Sequence, residues 1–152
     1  MSLERWSASG LVLLDGLPPT QTQFIRLIRM WTTGTDGKNA VWTLLANRLG
    51  TPRARVALRA MEQSVSLIDR CGPRPLTLRP SDDDLVNQDE HLFATLGEEA
   101  LSPDREHALL LAMLLVRPDL APALVDHMTQ LSLHIRCMEL PAPDRRTPRT
   151  LH

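Results

Sequence analysis

Tyrosine is absent, phenylalanine occurs twice and tryptophan three times, so aromatic residues make up only 3% of the 152 residues. No stretch alternates apolar with polar residues, and the scarcity of aromatics removes part of the usual strand signal. An extensive sheet is therefore excluded, and only Leu76-Thr77-Leu78 reads as a short extended piece. Cysteine occurs twice, as Cys71 and Cys137, too few for a disulfide framework. Both are expected to be reduced thiols in a cytoplasmic protein. The longest apolar run, Ala108 to Val116, falls far short of the roughly 20 residues that a membrane helix needs, so no membrane partner is expected. The apolar run Leu11 to Leu14 is likewise too short for a secretory signal. Lysine occurs only at Lys38, and arginine carries nearly all the positive charge.

What is present is helical periodicity. Apolar residues make up 43% of the chain, enough for one core in one domain of this length. Pro18-Pro19 closes an irregular start, and Thr20-Gln21-Thr22-Gln23 has the form of a capping box. Phe24, Leu27, Ile28 and Trp31 then recur at helical spacing. A second helix is predicted over about 38–49, ended by Gly50. Thr51-Pro52 starts a third, which runs to about Arg70 with Ala54, Leu58, Met61, Val65 and Ile68 on one side.

Residues 72–81 hold three prolines and read as an extended connector. Ser81 to Asp84 is expected to cap a fourth helix, Ser102-Pro103-Asp104 a fifth over about 103–117, and a sixth covers about 119–139. The fifth is apolar nearly all round, which predicts a central, covered helix. The sixth carries Leu124, Met128, Leu131, Ile135 and Met138 at the same spacing as the third. The expected fold is all-α, five or six helices in a compact bundle or orthogonal array. Residues 1–140 form a single helical domain on this reading, with a subdivision at 20–71 and 81–140 as the alternative, and residues 141–152 form a disordered tail.

Charge is distributed unevenly. Residues 1–75 carry ten Arg and Lys against five Asp and Glu, and residues 76–152 carry seven against thirteen. The halves either complement each other or offer a basic patch to an acidic partner. Between Asp36 and Glu62 there is no acidic residue, which leaves Lys38, Arg48, Arg53, Arg55 and Arg59 without local compensation. Ala46, Gly50 and Val56 within residues 42–61 add a small residue, a turn glycine and an apolar residue at spacings of four and six. This segment resembles the helix-turn-helix of bacterial DNA-binding regulators. The resemblance implies that Val56 packs back on the first helix and that Arg48, Arg53, Arg55 and Arg59 contact DNA. Arg59 departs from it, standing near where such segments carry an apolar residue.

The histidines lie in the acidic half. An antiparallel hairpin of the last two helices would bring His107 level with His127, with Glu106 beside them, a candidate metal set in which imidazole and carboxylate suit zinc or iron. His134 and Cys137 share a face of the last helix. Neither HExxH, Glu-x-x-His nor CxxC occurs, Gly34 to Asn39 lacks P-loop spacing, and no sequence signature pairs Cys71 with a base. No cofactor is expected. Three tryptophans among so few aromatics, and heptad-like stripes on helices three and six, point to a protein partner or a homodimer. The sequence thus favours a non-enzymatic regulatory or protein-interaction protein, then a DNA-binding regulator, then a helical metal-dependent enzyme or sensor.

Overall fold

The computed structural model describes residues 11–139. Six α-helices lie among them: α1 (Pro19–Trp31), α2 (Thr35–Leu49), α3 (Thr51–Cys71), α4 (Gln88–Glu99), α5 (Arg105–Ala112) and α6 (Ala121–Glu139). The fold is all-α, as the periodicity predicts. Its one departure is a two-residue antiparallel ladder, β1 (Val12–Leu13) against β2 (Leu85–Val86), with Val12 opposite Val86. Trp6 and the tail 141–152 lie outside the described residues.

The centre is taken by α6, which packs on all five other helices, together with α1, and not by α5. Phe24, Ile25, Leu27 and Ile28 are fully buried, and α1 packs on α2, α4 and α6. Each such side chain contributes roughly 1.5–3 kcal/mol when taken from water, so the helices with the large side chains claim the centre. By contrast α5 buries only Ala108 and Ala112. It also ends at Ala112 rather than near 117, and Leu110, Met113 and Leu114 face solvent.

The two helices with the clearest apolar stripes, α3 and α6, pack on each other more extensively than any other pair. Ala54, Met61, Val65 and Ile68 of α3 are buried, as are Leu124, Met128, Leu131, Ile135 and Met138 of α6. Gly50 joins α2 to α3 as a single residue that ends one helix and starts the next. Its φ of 84° is left-handed, which costs a residue with a Cβ about 1–2 kcal/mol. Phe24 meets Phe93 edge to face, with ring centroids 6.1 Å apart. Gly97 of α4 lies directly against the Phe24 ring, where a Cβ would overlap it.

Two helix starts differ from the sequence expectation. No side chain caps α1, because Pro19 in its first turn already lacks one of the donors a cap would satisfy. Helix α4 begins seven residues after Ser81, capped by Asn87, which accepts the Glu90 N–H while the Glu90 carboxylate accepts the Asn87 N–H. The segment before it cannot be helical, since Leu85 and Val86 pair with the N-terminal strand and Asp83 bonds the Leu85 N–H at 2.9 Å.

A buried ion pair holds this connector to the core. Arg29 of α1 donates from Nε to Glu90 Oε2 at 2.6 Å and from Nη2 to Oε1 at 3.0 Å, and both side chains are inaccessible to solvent. Arg29 also donates to the carbonyls of Asp83 (2.8 Å) and Leu85 (2.6 Å). Glu90 in turn accepts the backbone N–H of Asn87 and of Arg79, each at 3.1 Å. Buried charges are tolerated when their lone pairs and protons are matched in this way. Outside the pair, the Leu85 N–H above all holds the Asp83 carboxyl below the usual carboxylate range, against the opposing effect of burial and with further help from the Arg79 guanidinium. Arg74, hydrogen-bonded to Asp89 at 2.5 and 2.8 Å, does the same for Asp89.

Candidate functional site

The histidines are not gathered into a metal set. Asp104 caps α5 by accepting the N–H groups of Glu106 and His107. This turns the His107 ring to Glu99, with Nδ1 3.2 Å from Oε2. Glu106 is exposed. His127 lies in a recess with residues of α3 instead. His134 bonds the Gln130 carbonyl one turn earlier, at 2.7 Å. Among the described residues, no three His, Cys, Asp or Glu side chains converge to hold a metal. Cys71 is half-buried, Cys137 is exposed, and both are free thiols.

The basic segment keeps its helix-glycine-helix outline but not its packing. Val56 does not return to α2; it is 45% exposed. The buried α3 side chains are Ala54, Ala57, Ala60, Met61, Ser64, Val65 and Ile68, and Val56 lies off the centre of that face, with only Ala60 beside it one turn on. Arg53, Arg55 and Arg59 are all exposed, and none has an ion pair or hydrogen bond with a described residue. They do not form one row. Arg55 and Arg59, four residues apart, share a face, whereas Arg53 emerges on another. Arg48 is occupied structurally: its Nη2 donates to the Met138 carbonyl near the end of α6, one of the carbonyls that a helix leaves unpartnered. Lys38 stands over the Trp31 ring, 5.0 Å from its centroid. Trp31 itself is buried and Trp42 half-buried, so neither offers an open aromatic surface.

Arg55, Arg59 and Gln63 of α3 face His127 and Gln130 of α6 across a recess of about 330 Å³. Its floor is Val56 and Ala60.

A second surface centres on α5. Leu110, Met113 and Leu114 are 55%, 43% and 62% exposed, at positions i, i+3 and i+4. That spacing puts them on one side of the chain as α5 ends. Met113 also borders a recess of about 360 Å³, walled by Cys71, Pro73 and Val116 and rimmed by Arg70 and Arg117. The sequence showed the apolar run but not its exposure. The signal was there in the breadth of the run: nine consecutive apolar positions, five on α5 and four past its end, exceed what one buried face can absorb.

No family model matches the chain, and no curated protein or solved structure matches it. Function is therefore read from the geometry of these surfaces. No helix of the described residues is long and apolar enough to cross a membrane.

Proposed function

We propose that this chain is a non-enzymatic interaction module that docks a protein partner, or a second copy of itself, on the α5 surface. One observation carries the reading: Leu110, Met113 and Leu114 stand exposed together beside the recess that Met113 borders. Contiguous apolar side chains on a surface, rimmed by polar groups, mark places where water is removed on binding. On the rim, Arg70 has no carboxylate partner among the described residues, which favours a partner that sets a carboxylate beside an apolar contact. The reading places the protein in the cytoplasm, where Cys71 and Cys137 remain thiols.

The test is a Leu110→Asp/Leu114→Asp variant. Both side chains are exposed, so the helical circular dichroism should be unchanged. Light scattering after size exclusion, and affinity capture from the native host, then compare variant with wild type. Loss of a dimer, or of a captured protein, supports the reading. A wild-type chain that stays monomeric and captures nothing the variant fails to capture ends it.

A second reading, DNA binding through residues 42–61, is favoured by the exposure and lack of partners of Arg53, Arg55 and Arg59. It requires affinity for duplex DNA that falls steeply with salt and disappears when all three become alanine. The exposure of Val56 counts against it.

A further inference from the structure

Five of the twelve arginines among the described residues have carboxylate partners. Arg29 pairs with Glu90, Arg74 with Asp89, Arg79 with Asp83, Arg105 with Asp126 and Arg117 with Asp119. Arg55 and Arg59 do not, although they point into the same recess. A turn of helix separates them, so both guanidinium groups reach the recess from one wall. His127 and Gln130 stand on the facing helix, and no Asp or Glu lines the space.

We propose that the recess between α3 and α6 binds the oxyanion group, phosphate or carboxylate, of a small organic ligand. The guanidinium fork matches both groups with paired N–H donors, and a charge-assisted bond of this kind is roughly twice as strong as a neutral one. Gln63, Gln130 and the His127 ring supply further donors for the remaining oxygens. Val56 and Ala60 give the carbon part of the ligand an apolar floor, which accounts for a valine left open to solvent in the middle of a basic helix face. At about 330 Å³ the recess sits at the small end of ligand sites, a size for a metabolite headgroup and not for a folded partner. This site shares no lining residue with the α5 recess, so it goes beyond the docking reading and stands or falls separately.

The experiment titrates the full-length, ¹⁵N-labelled chain with inorganic phosphate in one arm and succinate in another, with chloride at matched ionic strength as the control. Saturable shifts of the Gln63 and Gln130 side-chain amides and the Arg55 and Arg59 Nε–H are expected in at least one arm. Which arm saturates tells phosphate from carboxylate. The Arg55→Gln/Arg59→Gln variant should weaken that binding at least about tenfold. Arg59→Lys, which keeps the charge but loses the fork, should fall between, and Arg53→Gln, outside the recess, should change it less than about twofold. Shifts that chloride reproduces, or binding indifferent to the double variant, overturn the proposal. So does duplex DNA that binds tightly and is lost equally with Arg53→Gln, since it would assign the arginines to a nucleic-acid surface.

Discussion

Glu90→Gln is the sharpest perturbation available in this fold. The two side chains are nearly the same size, so no cavity opens and the packing around α4 stays filled. What changes is charge and donor count. Glu90 Oε2 accepts from Arg29 Nε and the Arg79 N–H, and Oε1 accepts from Arg29 Nη2 and the Asn87 N–H. Whichever oxygen becomes an NH₂ group then faces one guanidinium N–H and one backbone N–H, donor against donor. Arg29 meanwhile remains fully buried without a counter-charge. Removing one partner of a buried pair costs roughly 3–5 kcal/mol, a large share of the 5–15 kcal/mol that holds a typical domain folded. The midpoint of thermal unfolding should fall by about 6–20 °C for a chain of this size. Chemical denaturation followed by circular dichroism and by tryptophan fluorescence measures the loss directly. The connector should also open first, so hydrogen exchange at Leu85 and Val86 should accelerate more than exchange in α3. A loss below about 1 kcal/mol would refute the reasoning, because a charge left alone in a dry interior cannot be that cheap.

Other outcomes follow from the same physics. Gly97→Ala drives a methyl into the Phe24 ring and should destabilise by about 1–3 kcal/mol in the same unfolding assay. Ser64 and Ser132 bury hydroxyls with no hydrogen-bond partner, so Ser64→Ala and Ser132→Ala should be neutral or stabilising by up to about 1 kcal/mol; a clear destabilisation would reveal a partner for the hydroxyl. Asp83 and Asp89 have folded pKa values below their unfolded values near 4, so their contribution is complete above about pH 4 and is lost as pH falls through the folded values. Unfolding midpoints should therefore drop below about pH 4, and Asp83→Asn should flatten that acid limb.

Much of the architecture was legible because it depends on local spacing. The stripes on α3 and α6, the left-handed turn at Gly50 and the Asp104 cap each follow from residues within a turn or two of one another. The start of α4 was misplaced for the opposite reason. Ser81 to Asp84 has the composition of a cap, but Val86 is claimed by Val12, more than seventy residues earlier. The Arg29–Glu90 pair was invisible likewise: one arginine on an apolar helix and one glutamate after a loop carry no spacing that links them. The histidines failed as a set because a cap and a nearby carboxylate decide where His107 turns, and hairpin register alone does not.

By itself the sequence determined that this chain is helical, where most helices begin and end, and which stripes on α3 and α6 seek shelter, since those properties reside in the periodicity and end chemistry of single segments. Only the tertiary structure decided that α1 and α6, and not α5, take the centre, that Arg55 and Arg59 converge across from His127, and that Leu110, Met113 and Leu114 are left in water. Burial is a competition among all segments for a limited interior, and its outcome belongs to no one of them.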